Sequence, residues 1–394
     1  MLSVAEAAAR TRALVRRLPA EEVALDDAAG RILAADVVAT RSLPGVDNSA
    51  MDGFAARCAE LPATLPVVAH VPAGLVPDPL PPGSAARIMT GAPLPEGADT
   101  VVMFEDARDA GETVELPPSR EGANIRRMGE DIAAGERALD AGTRLGWGEI
   151  ALAAALGCAR VAVTRRPVVA IVATGDELVD IGTVPGPGQV VDSTAHALAA
   201  HIAEVGGVAR HLGIARDREE DVIALVEQAL GCDLVLTTGG VSAGDHDHVR
   251  SALAAAGVQL DFWKVAMKPG KPLAAGRAGH VPVFALPGNP VSSLVAFELF
   301  VRPALLTMLG AAGVDRPRAP VILPDGYKKP PGRAHYLRAW VVRDGDRLVA
   351  ALHPQQGSHM LTSVVGIDAL VEIEAGGGDI EPGGTATAIL LRAV

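Results

Sequence analysis

Three short stretches combine glycine with carboxylate or amide side chains in a way that suits a phosphate held through a metal ion. They are Thr174-Gly175-Asp176-Glu177, the longer Thr238-Gly239-Gly240-Val241-Ser242-Ala243-Gly244-Asp245-His246-Asp247, and Leu286-Pro287-Gly288-Asn289-Pro290-Val291-Ser292-Ser293. Glycine, lacking a Cβ, lets backbone N–H groups approach a phosphate closely. Carboxylates repel that phosphate unless a cation stands between them, and Mg²⁺ does so by taking one or two carboxylates together with phosphate oxygens and water. Glu177, Asp245 and Asp247 are the candidate metal ligands. His246 and His248 beside them also suit a transition metal, but alternation along an extended segment would send His and Asp to opposite sides, so magnesium is preferred. A basic counterpart lies in Lys264, Lys268 and Lys271, where Pro269 and Gly270 fix the loop between the last two lysines. Singly, each glycine-rich stretch could be an ordinary strand-to-helix turn; the number of glycines in the second, beside two aspartates, favours ligand binding.

The elements that must position these loops are legible. Each loop follows an apolar run that reads as a buried strand: Val168 to Thr174, Asp233 to Thr238 and Val281 to Leu286. Helical segments alternate with them, Ser193 to Val205, Glu219 to Leu230, His248 to Ala256 and Val291 to about Leu309, with a further strand at Val208 to Ile214. This alternation predicts βαβ units around a parallel sheet, in which the C-terminal strand ends share one edge and distant loops converge on one crevice.

Around this α/β domain the texture changes. Residues 1 to about 30 read as helical, opening on the capping box Ser3-Val4-Ala5-Glu6. From Pro44 to about Ala134 the chain is rich in Pro, Gly and short β-branched runs, and an Ala-rich helical stretch returns at Trp147 to Leu156. After Pro320 short strands dominate, with Asp344-Gly345 turning a hairpin between Tyr336–Val342 and Arg347–Ala351. The expectation is therefore a split helical domain (1–30 and 135–166), an inserted β domain (31–134), the α/β domain (167–317) and a C-terminal β domain (318–394). At 394 residues one core would not suffice.

Composition limits the partners. A formal net charge of -12 leaves no basic field for nucleic acid or an anionic membrane, so positive potential must be built locally. Apolar runs such as Val168 to Ala173 fall far short of a bilayer span. Cys58, Cys158 and Cys232 are odd in number and widely spaced, which suits a reducing, cytoplasmic setting.

Read together, the motifs DNSAMDG, MTGAPLPEGADTVV, ATGDEL, TTGGVSAGD, MKPGKP and LPGNPVSS, in this order, resemble the molybdopterin molybdenumtransferase family, MoeA in bacteria and the gephyrin E-domain in animals. The resemblance runs nearly end to end. It implies a multidomain homodimer, a C-terminal β-barrel, and transfer of molybdate to adenylylated molybdopterin with Mg²⁺ and release of AMP. By motif it assigns catalytic roles to Asp52, Thr90, Asp131, Glu177, Asp217 and Asp247. Substrate-binding roles fall to Gly175, Gly239, Gly240, Ser242, Lys264, Lys268, Lys271, Pro287, Gly288, Asn289, Pro290 and Ser292, with Arg338 and Ser358 helping to hold molybdate. It further implies that the inserted segment faces the α/β pocket of the other subunit, and transient contact with the molybdopterin adenylyltransferase and with proteins that accept the finished cofactor. Two other readings follow from the same resemblance: adenylylation of the pterin, which the related one-domain enzyme performs, and a scaffold role, which the animal domain adds.

Overall fold

The computed structural model describes residues 1–240 and 248–393. The chain forms two compact units, Met1–Glu21 with Gly30–Ala34 and Val163–Val394, and Glu22–Ala29 with Ala35–Ala162. These units divide the chain differently from the four expected segments.

The first unit opens with helix α1 (Val4–Ala13), whose capping box is formed: the Ser3 hydroxyl accepts from Glu6 N at 3.2 Å and the Glu6 carboxylate accepts from Ser3 N at 2.8 Å. The helix does not continue to residue 30 as its sequence suggested. Pro19 cannot extend it and disfavours helix at Leu18, and Ala20–Ala24 is a strand.

The α/β domain follows the predicted alternation. Its elements are β1 (Val168–Thr174), α2 (Ser193–Val205), β2 (Val208–Ala215), α3 (Glu219–Ala229), β3 (Leu234–Thr238), α4 (His248–Ala255), β4 (Gln259–Phe262), β5 (Ala274–Ala278), β6 (Val281–Leu286) and α5 (Pro290–Leu309). The sheet order is β2-β1-β3-β6-β5-β4. The first four strands are parallel, and β5 and β4 extend the sheet antiparallel. The sequence did not announce β5, because Ala-Ala-Gly-Arg-Ala carries no β-branched side chain. Since β2 lies on one side of β1 and β3 on the other, the strand order reverses at β1, which opens a crevice at the C-terminal edge there.

Helix α5 is long and apolar enough to cross a membrane, alone among the described residues, yet it is mostly buried inside the protein. Its middle, Phe297–Val301, is π-helical and carries the buried Glu298. Arg316 holds that carboxylate at 3.0 and 3.1 Å, and His201 of α2 lies at 3.4 Å. Burial alone would raise the Glu298 pKa, but hydrogen bonds from His201 and Arg316 and their charge bring it down to about 2.

Five C-terminal strands close into a barrel: β7 (Arg318–Leu323), β8 (Ala334–Asp344), β9 (Arg347–Leu352), β10 (Ala369–Ile373) and β11 (Gly384–Leu390). The ring runs β8-β9-β7-β11-β10 and back to β8. Closure leaves these strands without an open edge. Tyr336, Leu370 and Ile389 of the barrel join one apolar core with Ala7 of α1 and Phe297 and Phe300 of α5.

The second unit is a six-stranded sheet ordered Thr100–Met103, Gly53–Ala56, Ala85–Ile88, Ala63–Val71, Thr113–Leu116, Arg108–Asp109. The helix Trp147–Ala155 belongs to this unit.

Because Glu298 is ionised far below an ordinary carboxylate, Glu298→Gln is expected to cost about 3 kcal/mol at neutral pH. The sign follows from a depressed folded-state pKa: the stabilisation is complete above about 4.5 and fades as pH falls toward about 2. Urea unfolding of both proteins at pH 7 and pH 3 checks it, with the difference between them expected to shrink at the lower pH.

Candidate active site

A cavity of about 830 Å³ occupies the crevice at the C-terminal edge of β1, β3 and β6. Thr174, Gly175 and Glu177 line it from β1, Thr238, Gly239 and Gly240 from β3, and Pro287, Gly288, Asn289 and Pro290 from the β6–α5 junction. Asp217 lines it from the end of β2, Asp192, Ser193 and Thr194 from the start of α2, and Pro272, His359 and Leu361 complete the wall. Gly175, Glu177, Asp217, Gly239, Gly240, Pro287, Gly288, Asn289 and Pro290 are thus brought together as the sequence predicted.

The glycines are required by approach distance. At Gly239, φ is 92° and a Cβ would stand 2.4 Å from the Thr174 carbonyl oxygen. At Gly288, a Cβ would already touch Gly239 Cα at 3.3 Å, so the ends of β3 and β6 meet backbone to backbone.

The acidic wall is braced. Asp217 N–H donates to the Asp176 carboxylate at 3.2 Å, and Asp176 N–H donates to Asp217 Oδ2 at 3.3 Å. Arg216 adds a bond to the Asp176 carbonyl at 3.0 Å. Asp192 caps α2 through Ala195 N at 3.1 Å. The loops after β1 and β2 are therefore tied by reciprocal hydrogen bonds between Asp176 and Asp217.

Several predicted residues lie elsewhere. Lys264, Lys268 and Lys271 do not line the cavity. Lys264 is half-buried and its carbonyl accepts from Leu2 N, while Lys268 is exposed on a two-residue strand paired with Ala334 and His335. Ser292 is buried in the first turn of α5. Arg338 is fully buried, donating from Nε to Ser363 Oγ at 3.1 Å and from Nη2 to the carbonyls of Gln355 and Gly357 at 3.0 and 3.1 Å. Burial lowers its pKa to about 10, which leaves it charged at neutral pH. The Ser358 carbonyl accepts from Val291 N at 3.1 Å, tying the barrel loop to α5. Ser242, Asp245 and Asp247 lie outside the described residues.

In the second unit, three segments distant in sequence form one cluster. Asn48–Ser49 pairs with Ile125–Arg126, and Ser49 exchanges backbone hydrogen bonds with Gly91 and Ala92 at 2.8 and 3.0 Å. The exposed Asp52 carboxylate accepts from Thr90 N at 2.7 Å and from its hydroxyl at 2.9 Å. Those bonds, the backbone one foremost, hold its pKa below the usual carboxylate range. Asp131 is also exposed, its N–H bonded to the Leu43 carbonyl at 3.0 Å.

Sequence reasoning missed Asp192 and His359 on the cavity wall. Asp192 precedes Ser193-Thr194 at a helix start and could have been read as an N-cap. His359 gave no comparable signal of its own, although the resemblance names its neighbour Ser358.

The chain matches family profiles described as the MoeA N-terminal region (domain I and II) over residues 2–157, a probable molybdopterin binding domain over 170–307, and the MoeA C-terminal region (domain IV) over 320–391. It is 37% identical over 366 residues to the molybdopterin molybdenumtransferase 2 of Mycobacterium tuberculosis, covering 89% of this chain and 90% of that protein. The chain belongs to the molybdopterin molybdenumtransferase (MoeA) family. A second relative, the molybdopterin molybdenumtransferase of Bacillus subtilis, is 35% identical over 405 residues, covering 99% of this chain and 94% of the relative. Among solved structures, a molybdopterin biosynthesis MoeA protein from Pyrococcus horikoshii superposes with a TM-score of 0.88 at 30% identity, over 99% of this chain and all of that one. The cavity lies within the part of this MoeA-family chain that matches the molybdopterin binding profile, with His359 and Leu361 added from the C-terminal region.

Gly239→Ala is expected to cost roughly 2 kcal/mol or more, since it combines a disfavoured φ with a 2.4 Å backbone clash. Gly83→Ala, at φ 71° with open space around it, should cost only about 1 kcal/mol. Thermal unfolding followed by circular dichroism compares the two.

Proposed function

We propose that this chain is a molybdopterin molybdenumtransferase that takes adenylylated molybdopterin and molybdate, transfers molybdenum to the pterin dithiolene and releases AMP. The single observation that carries the reading is the glycine-floored cavity at the strand-order reversal, about 830 Å³ in volume. That size is in the range of small-molecule sites. Family membership supports the reaction class.

The donor set fits Mg²⁺. Glu177 and Asp217 offer hard carboxylate oxygens on the cavity wall, and Mg²⁺ draws the rest of its shell from phosphate oxygens and water. Asp245 and Asp247 are assigned to the same role on sequence alone. When bound, Mg²⁺ supplies positive charge at the phosphoanhydride.

The remaining roles belong to the chain. Gly175, Gly239 and Gly240 let backbone approach the phosphates, and the N-termini of α2 and α5, which border the cavity, favour anionic groups. Lys264, Lys268 and Lys271, with Ser292, Arg338 and Ser358, are assigned to the molybdate side. The homodimer is part of the proposal, with Asp52, Thr90 and Asp131 serving the cavity of the other protomer. So is the four-domain division given above, as is transient contact with the adenylyltransferase and the cofactor acceptors. The free Cys58, Cys158 and Cys232 support a reducing compartment, and we place the enzyme in the cytoplasm.

Purified protein given adenylylated molybdopterin, molybdate and Mg²⁺ is expected to release AMP. Glu177→Gln should lower that release at least about 100-fold with an unchanged circular dichroism spectrum. Undiminished turnover in the variant would reject the role of Glu177, and no AMP from the wild type would reject the function.

A further inference from the structure

A second cavity, of about 670 Å³, lies in the first unit at the other edge of the α/β sheet. Its walls come from strand starts rather than strand ends: Arg165 precedes β1, Cys232 and Asp233 precede β3, and His280 and Pro282 flank the first residue of β6. Arg16, Arg17, Leu18 and Pro19, which follow α1, and Met308 near the end of α5 complete the lining. Open α/β sheets ordinarily bind ligands at the carboxyl ends of their strands, so this cavity lies outside the site that the sheet topology builds.

Its charge is opposite to that of the chain. Three guanidinium groups, Arg16, Arg17 and Arg165, line it with one carboxylate, Asp233, and the exposed imidazole of His280, in a protein of net charge -12. Asp233 is taken up by one of the three. Arg165 donates to it twice, from Nη1 to Oδ2 at 2.8 Å and from Nη2 to Oδ1 at 2.7 Å, and Val168 N donates to Oδ2 at 2.8 Å. Burial would raise the Asp233 pKa, but these bonds and the Arg165 charge hold it below the usual carboxylate range, so the pair is ionised at neutral pH. Arg17 gives Nη2 to the carbonyls of Leu33 and Ala34 at 3.4 and 2.8 Å, which anchors its guanidinium without neutralising it. Arg16 has neither a hydrogen bond nor an ion pair among the described residues. Two guanidinium charges in one concave space are thus left without a carboxylate.

The segment that carries them is tied to the domain by backbone. Leu18 N donates to Met308 O at 2.8 Å, and Arg165 N donates to Pro19 O at 2.9 Å. Cations held together in this way repel one another, and a bound anion relieves the repulsion. The rest of the wall, Leu18, Pro19, Cys232, Pro282 and Met308, is apolar, and its last three members are buried.

We propose that this cavity binds a small phosphate-bearing organic molecule, with its phosphate groups on Arg16, Arg17, Arg165 and His280 and its organic body on the apolar wall. Guanidinium groups suit phosphate oxygens because they offer paired N–H donors together with charge. Donors drawn from three separate chain segments suit a tetrahedral anion with several free oxygens better than a flat carboxylate. The volume falls within the range of small-molecule sites.

Isothermal titration calorimetry on the full chain tests this with inorganic pyrophosphate and ADP as probes, in EDTA so that no Mg²⁺ completes the candidate active site. Both probes are expected to bind at a single site, ADP about tenfold tighter through the apolar wall. Arg16→Glu changes an exposed residue whose side chain has no partner to lose, and is expected to weaken both probes about tenfold, or by about 1.4 kcal/mol. Arg210→Glu makes the same charge change at an exposed position of β2 outside the cavity, and should leave both Kd values unchanged. Absence of binding, or Kd values that Arg16→Glu does not move, overturns the proposal. An equal loss in Arg210→Glu also overturns it, because the effect would then be one of overall charge. Pyrophosphate binding as tightly as ADP overturns the role given to the apolar wall. The readout needs neither pterin nor molybdate, so failure of the proposed reaction leaves it unaffected.

Discussion

Three carboxylates face one cavity, and the ligand proposed for it is itself an anion. At an effective dielectric near 20, two like charges about 4 Å apart repel by roughly 4 kcal/mol. Binding is therefore impossible to reconcile with the side chains unless positive charge is supplied from outside the sheet. The arrangement answers in two ways. Carboxylate oxygens of Glu177 and Asp217 can share a hard cation with the ligand, and the N-termini of α2 and α5 border the cavity. The backbone N–H groups exposed by Gly175 and Gly239 add partial charges without adding bulk. The acidity of the chain as a whole, -12 at neutral pH, makes this local solution necessary rather than incidental.

Such a site works only if its walls do not collapse onto one another. The parallel strands that end at the cavity are buried on both faces, and their apolar core is continuous through α5 to the barrel. Glu298, held by Arg316 and His201 at the π-helical turn of α5, joins α2, α5 and the segment leading into the barrel. A buried carboxylate with its partners in place resists displacement, because separating them leaves a bare charge in a poor dielectric. Arg338 does the same for the barrel loop at closer range. Alignment of the two halves of the cavity within this unit thus depends on a few buried charges as well as on packing.

The α/β domain was the most legible part of the sequence. Its strands are nearly continuous apolar runs, and its helices end at glycines such as Gly206 and Gly310, both in left-handed conformation. Strand topology then carried the convergence of Gly175, Gly239 and Gly288 without any need for contacts. What composition and pattern could not reveal were pairings set by tertiary structure. Strand β5 lacks β propensity, the first helix stops at Ala13 although helical composition continues, and Asp52 meets Thr90 across a sheet. The lysines lie off the cavity wall for a related reason. Sequence proximity to a loop says nothing of direction, and Lys268 sits on a short strand paired with the barrel.

The most direct test of this account is anomalous X-ray diffraction at the molybdenum edge from a crystal soaked with Mg²⁺, molybdate and adenylylated pterin. The account predicts a molybdenum peak in the crevice between the ends of β1, β3 and β6, with ligand density against Gly175, Gly239 and Gly288. A peak bound elsewhere on the protein, with that crevice holding only solvent, would contradict it.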